Sequence, residues 1–292
     1  MQGTVDGFGY GLVTPVAAYL MACLGGALGL RCTTRSVRHG RGFKAGWLAL
    51  GATAIGSGIW TMHFIAMMGF TVEEAPIGYD RPTTFASLAV AVVMVGVGIF
   101  IVGYRGATVM ALVTGGTLTG LGIASMHYLG MAGMRLRGVL EYDTLTVALS
   151  VVIAVVAATA ALWAAVSVHG FLASLGAALV MGVAVSGMHY VGMAAVSVRL
   201  HHTTDIAAAG DSPVGVLAPV LVGPAVFLLL AAVVVMFDPL LVLGEPEHGW
   251  PARDEGRRPG VPARAGAPAA RRPASWAADR GRRRRLADHD SR

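Results

Sequence analysis

The sequence predicts an all-α membrane protein: seven transmembrane helices, arranged as three parallel-related two-helix repeats plus a seventh helix, with the N-terminus outside and the C-terminus cytoplasmic. Three observations predict it. The first is composition. Of 292 residues, 55% are hydrophobic and 13% charged, against roughly 25% charged in an ordinary soluble domain. The apolar residues fall into runs of about 20 without a charge, the length that crosses a bilayer. The second is a repeated stretch. Met62-His63-Phe64-Ile65-Ala66-Met67 recurs as Met126-His127-Tyr128-Leu129-Gly130-Met131 and as Met188-His189-Tyr190-Val191-Gly192-Met193. The histidines are 64 and 62 residues apart, a period too long for a solenoid unit and suited to a pair of membrane helices. The third is the uneven spread of basic residues among the connecting loops, which sets orientation.

The first span covers 10–30. The residues before it include Asp6 and no basic cluster, so it does not read as a cleavable signal. Arg31, Arg35, Arg38, Arg41 and Lys44 follow it and hold that loop on the cytoplasmic side. The second span, 45–70, leads to an outer loop with Glu73, Glu74, Asp80 and Arg81. The third, 84–102, ends in a tight inner turn with Arg105. The fourth, 107–134, leads to a mixed loop of Arg135, Arg137, Glu141 and Asp143. The fifth, 144–168, and sixth, 171–198, are joined by the bare turn His169-Gly170. A loop with Arg199, Asp205 and Asp211 precedes the seventh span, 214–237. No Asp, Glu, Lys or Arg lies inside any span.

Residues 1–237 therefore form one membrane domain, with repeats at about 10–70, 84–134 and 144–198. Residues 238–292 are rich in Pro, Ala and Arg, end in Arg282-Arg283-Arg284-Arg285, and read as a disordered cytoplasmic tail that cannot bury a core. The net charge of +6 reflects loops and tail, so it carries no nucleic-acid signal. Cys23 and Cys32 have neither disulfide nor metal spacing. No nucleophile–base pair, phosphate loop or carboxylate pair appears at useful spacing, which argues against an enzyme.

The three motif copies lie on the second, fourth and sixth spans, which run in the same direction. Each histidine is expected roughly 10–14 Å below the outer surface at 1.5 Å per residue, so three imidazoles share one layer. A three-fold pseudo-symmetric bundle about the membrane normal follows. His63 and Met67, His127 and Met131, and His189 and Met193 are four apart and share a helix face. Met62, Met126 and Met188 lie about 100° round. An ionisable residue in the bilayer is expensive and marks function. Imidazole and thioether donors without a carboxylate favour Cu(I) over Mg, Ca or Mn; a methionine-rich set also argues against zinc. The bland alternative is that the histidines are interhelical hydrogen-bonding glue and the methionines packing material. Gly56, Gly120 and Gly182, each six residues before a leading Met, are expected to allow close helix approach. Tyr128 and Tyr190 either hydrogen-bond in the core or simply pack, packing being favoured; His201-His202 reads as a solvated loop before a metal shuttle, and His169 as inert.

These residues resemble the MHYT family of bacterial integral-membrane sensor domains, whose name abbreviates this motif. The resemblance covers roughly residues 10–237. It implies a seven-span sensor module that binds copper through Met and His and responds to a diatomic gas: oxygen, carbon monoxide or nitric oxide. The ligand set implied is Met62, His63 and Met67; Met126, His127 and Met131; and Met188, His189 and Met193. Two features depart from the family name. Its Thr position holds Ile65, Leu129 or Val191, and Phe64 replaces Tyr in the first copy. Many relatives fuse the module to domains that make or break cyclic dinucleotides, or to histidine kinases. The tail here reads as too short for such a domain, so an unidentified cytoplasmic signalling partner is expected. Two other readings stay open. His and Met also serve as axial haem ligands. A copper-handling or transport protein would also use such a layer, although intramembrane Asp or Glu, common in ion-coupled pumps, is absent.

Overall fold

The computed structural model describes residues 4–7, 9–38, 44–72, 76–168, 170–200 and 213–236, all within one compact unit, residues 1–245. The chain is all-helical apart from short strand pairs. Its helices are α1 (Val13–Arg38), α2 (Lys44–Met68), α3 (Arg81–Arg105), α4 (Val109–Ala132), α5 (Thr144–Ser167), α6 (Phe171–Ala194) and α7 (Pro213–Met236). All seven are long and apolar enough to cross a membrane, and the protein is a multi-pass membrane protein. Outward positions such as Leu121, Val152, Val180 and Leu229 are exposed apolar side chains, as a lipid-facing surface requires. His169, the His201-His202 pair, Arg41, Glu73, Glu74, Asp205, Asp211 and the whole stretch 237–292 lie outside the described residues.

Helices α1 to α6 pack in sequence order into a closed ring, α6 returning to α1, and α7 lies outside against α1 and α2. The buried side of α7 is a helical stripe of Leu217, Leu221, Leu228, Ala231 and Val235, part of which meets Leu28, Cys32 and Ala54. The three glycines ahead of the motifs sit at close contacts between neighbouring helices. A Cβ on Gly56 would stand 2.8 Å from Val92 Cα on α3. One on Gly120 would run into Val155 Cα on α5, and one on Gly182 would stand 2.5 Å from Cys23 Sγ on α1. Cys23 and Cys32 are both free and buried.

Three short antiparallel pairs join the ends of these helices. β1 (Val5–Asp6) pairs with β2 (Thr71–Val72), β3 (Gly78–Tyr79) with β4 (Met134–Arg135), and β5 (Gly138–Tyr142) with β6 (Val196–Leu200). Each pair links the segment before an odd helix to the segment after the next even helix. A repeat is thus a helical hairpin whose own two ends are hydrogen-bonded together. One further bond recurs in all three: Gly9 N–H donates to Gly69 O, Asp80 N–H to Gly133 O, and Asp143 N–H to Ala195 O, at 2.9, 2.8 and 2.8 Å. Asp80 and Asp143 also cap α3 and α5, accepting from the backbone N–H of Thr83 and Thr146, as N-cap carboxylates do. All three strand pairs lie at one end of the ring, hereafter the motif end.

The strands shorten two helices relative to the spans read from hydropathy. The sixth span was expected to reach 198, but α6 stops at Ala194 because Val196–Leu200 extends to pair with β5. Likewise α4 stops at Ala132, ahead of β4. At the other end α1 continues eight residues past the expected limit of 30, to Arg38, so Arg31 and Arg35 ride on its last turns.

Candidate metal centre

His63, His127 and His189 stand five residues before the ends of α2, α4 and α6 respectively. That is roughly 7–8 Å of helix rise, equal in the three copies, so the three imidazoles share one layer of the bundle. The side chains are 1%, 1% and 2% exposed. Their rings point to a common axis, with centroids 4.9, 5.0 and 5.1 Å apart and planes nearly perpendicular. The three Nδ1 atoms form a triangle: His63 to His189 3.0 Å, His127 to His63 3.2 Å, His189 to His127 3.4 Å. The point equidistant from the three lies about 1.9 Å from each. Nitrogen ligands of a transition metal lie at about 2.0–2.1 Å, taking zinc as the reference.

Hydrogen bonding does not satisfy this triangle. Each Nδ1 of a neutral imidazole carries either one hydrogen or one lone pair. With three such atoms, two must be alike, so one contact sets lone pair against lone pair or hydrogen against hydrogen. The far edges of the rings offer no relief. Nε2 of His63 and of His127 are buried and have no hydrogen-bond partner among the described residues. An unpaired buried polar group costs about 1–3 kcal/mol.

Two of the rings meet the residue three beyond the histidine of the next motif helix. A Cβ on Gly130 would lie 2.5 Å from His63 Nε2, and one on Gly192 would lie 2.6 Å from His127 Nε2. His63 and His127 thus each rest against the bare backbone of the next motif helix. The first copy has Ala66 at the corresponding position. The motif pattern marked this position as small; its role as a seat for the neighbour's imidazole is a contact between repeats, beyond what spacing within one helix reveals.

Phe64 is balanced by another residue. Tyr128 OH lies 2.7 Å from Ser150 Oγ on α5. In the first repeat Phe64 has no hydroxyl, and Trp60 Nε1 donates instead to Ser87 Oγ (2.9 Å) and Thr84 O (3.2 Å) on α3. Tyr128, read from sequence as packing, therefore also makes an interhelical hydrogen bond.

The six motif methionines all enter the same core. Met62, Met67, Met126, Met131 and Met188 are buried, and Met193 is half-buried against them. The structure gathers the three histidines at one point. Met67, Met131 and Met193 belong to the next turn toward the strands.

Comparison with known proteins also finds a threefold repeat. The family model described as "MHYT: Bacterial signalling protein N terminal repeat" matches residues 56–115, 120–178 and 182–250. The chain is 46% identical over 154 residues to the bifunctional diguanylate cyclase/cyclic di-GMP phosphodiesterase MucR of Pseudomonas aeruginosa, covering 51% of this chain and 22% of that protein. It is 36% identical over 208 residues to the cyclic di-GMP phosphodiesterase NbdA of the same organism, covering 67% and 26%. It is 34% identical over 185 residues to the signaling protein YkoW of Bacillus subtilis, covering 60% and 23%. The chain spans about a quarter of the length of these relatives. No solved structure matches it. The matched units start at Gly56, Gly120 and Gly182 and join each even helix to the following odd one. They are out of phase with the closed repeats that the strand pairs define.

Proposed function

Because the chain belongs to the MHYT family of bacterial membrane signalling proteins, we propose that it is a sensory membrane module in which His63, His127 and His189 hold one copper(I) ion through Nδ1. One observation carries the metal reading: three single-site nitrogens crowd within 3.0–3.4 Å, and a cation can accept all three lone pairs at once. Softness favours copper(I). The donor set is three imidazoles with no carboxylate, methionines four residues on share each motif helix, and such soft donors favour Cu(I) among biological ions. Zinc sites take four ligands, usually from Cys, His and carboxylates. Bound copper(I) supplies a soft Lewis acid that takes up a small ligand or changes oxidation state.

The remaining work falls to the chain. Gly130 and Gly192 seat two of the imidazoles. The strand pairs cover the motif end, and the layer of Met67, Met131 and Met193 offers a thioether as a further soft donor on that side. Haem fits poorly, since a macrocycle must lie between its axial ligands and nitrogens this close leave no space for one. A through-path for copper is also disfavoured, because the turn below the histidines carries Ile59, Ile123 and Val185, which have no donor atoms to receive an ion.

We place the motif end outside. There Arg135 and Arg199 are matched by Asp80 and Glu141, at 3.3 and 3.0 Å. At the other end Arg31, Arg35 and Lys44 lie over the rings of Phe171, Trp47 and Tyr104, a basic and aromatic belt suited to a cytoplasmic interface. A change of ligation would draw the motif ends of α2, α4 and α6 together or apart. The odd helices meet at the opposite end, α1 and α5 through Leu30, Ala164 and Ala165, and α3 and α5 where Gly98 faces Leu162. That end would present the change to a cytoplasmic signalling partner. The test is metal analysis and X-ray absorption of detergent-purified protein loaded with copper(I). We expect one copper per chain with nitrogen neighbours near 1.9 Å, and loss of copper in His63→Ala/His127→Ala/His189→Ala. Wild-type protein that stays copper-free after loading would overturn the proposal.

A further inference from the structure

A second feature lies on the same axis. Below the triad, away from the strands, the ring holds a partly open apolar cavity of about 40 Å³, measured as the space open to the centre of a water-sized sphere. Its walls include Ile59, Ile123 and Val185, four residues before the three histidines, and Ile55, Thr119 and Met181, eight before them. One and two helical turns below each imidazole, every motif helix therefore faces the cavity. α3 adds Val95 and Ile99, and α5 closes the wall with Ala157 and Ala158, where α3, one repeat earlier, carries Met94 and Val95. The missing side-chain volume on α5 leaves the space.

A cavity needs roughly 10–15 Å³ on this measure to hold one water, and a water needs two to four polar partners. Size permits about three waters here, but the walls do not. The Thr119 hydroxyl, the polar group among them, already donates to Met94 O at 3.3 Å. Apolar cavities of this kind stay dry and take up small apolar molecules. The cavity lies on the side of the triad away from the strands, and Ile59, Ile123 and Val185, one turn below the histidines, stand among its walls.

We propose that this cavity is a binding site for a neutral apolar molecule of diatomic or noble-gas size, and that such a ligand meets the triad from this side, through the hydrophobic interior of the bundle. The second half rests on the metal-holding reading above; the first half does not.

The two halves are tested separately. Xenon titration of purified protein followed by 129Xe NMR should give a saturable shift in the wild type. The shift should be lost in Ala158→Leu, which fills the cavity, enlarged in Ile123→Ala, and retained in the triple histidine-to-alanine variant. Should Ala158→Leu fail to fold, Ile123→Ala decides the matter. A wild-type response no different from empty detergent micelles, or one unchanged in both cavity variants, overturns the site. The second half is read by infrared spectroscopy of copper(I)-loaded protein under carbon monoxide. The copper-bound CO band should appear in the wild type and be lost in Ala158→Leu at unchanged copper content. A band of equal intensity in the two proteins would show approach from the strand side and overturn the route. Protein that takes up xenon but no copper would sink the metal reading and leave the cavity standing.

Discussion

The imidazole of His63 is positioned by absence: Gly130 gives its edge a place to rest, and Gly192 does the same for His127. A methyl group at either position must turn the ring and pull Nδ1 off the common axis. Gly130→Ala and Gly192→Ala are therefore expected to weaken copper binding by about 10–100-fold, the usual cost of losing a residue that orients a ligand, with each protein still folded. Gly96→Ala is the control. Its Cβ would meet Ala52 at an ordinary 3.7 Å, and affinity should not move. Competition with a copper(I) chelator reads all three.

At the scale of the element, what matters is where helices touch and how they begin. Gly120 lies against the backbone of Val155, which cannot step aside as a flexible side chain would. Gly120→Ala should force α4 and α5 apart and destabilise by about 1–3 kcal/mol, the range for overpacking a close contact. Gly187, on α6, has open space around it. Gly187→Ala should be neutral or stabilising by up to about 1 kcal/mol, from helix propensity alone. Thermal denaturation in detergent separates the two.

The caps of α3 and α5 carry a pH dependence. The Thr83 hydroxyl and N–H, followed by Arg135, hold the Asp80 carboxyl below its ordinary value of 3.8. The Thr146 hydroxyl and N–H do the same for Asp143. A depressed folded-state value means that the unfolded chain takes up protons first as pH falls. The caps' contribution is complete above the ordinary carboxylate range and is lost as pH drops through the lower folded values. Acid melting curves below about pH 4 should thus show a falling midpoint whose slope is reduced in Asp80→Asn/Asp143→Asn. An equal slope in wild type and variant would place the acid sensitivity elsewhere.

For the whole molecule, a ligand held by all three repeats ties the ring together. At a free concentration 100 times its dissociation constant, an ion that binds only the folded state adds about 2.7 kcal/mol. Copper(I) should raise the melting temperature of the wild type and leave the triple histidine variant unmoved, and a chelator should reverse the rise. Much of this architecture was legible in the chain. The seven spans follow from uncharged apolar runs, and the three-fold plan from the spacing of His63, His127 and His189. The close contacts at Gly56, Gly120 and Gly182 follow from their fixed offset to each motif. The end of the sixth helix was set four residues too far because hydropathy cannot distinguish the end of a helix from a strand that begins Val196-Ser197-Val198. The strand pairs were not legible, since two-residue strands have no periodicity. The cavity left a trace that a closer reading would have caught: Ala154, Ala157, Ala158, Ala161 and Ala165 recur on one face of α5.

The strand pairs bind each hairpin's first segment to its last, so the peptide links between hairpins are connections of convenience. Only Leu136 and Arg137 separate β4 from β5. Two co-expressed polypeptides, 1–136 and 137–292, should find each other and rebuild the bundle, detectable as co-purification of the halves with an intact copper site. Halves that never associate would mean that an unbroken backbone, and not side-chain complementarity, keeps the third imidazole beside the other two.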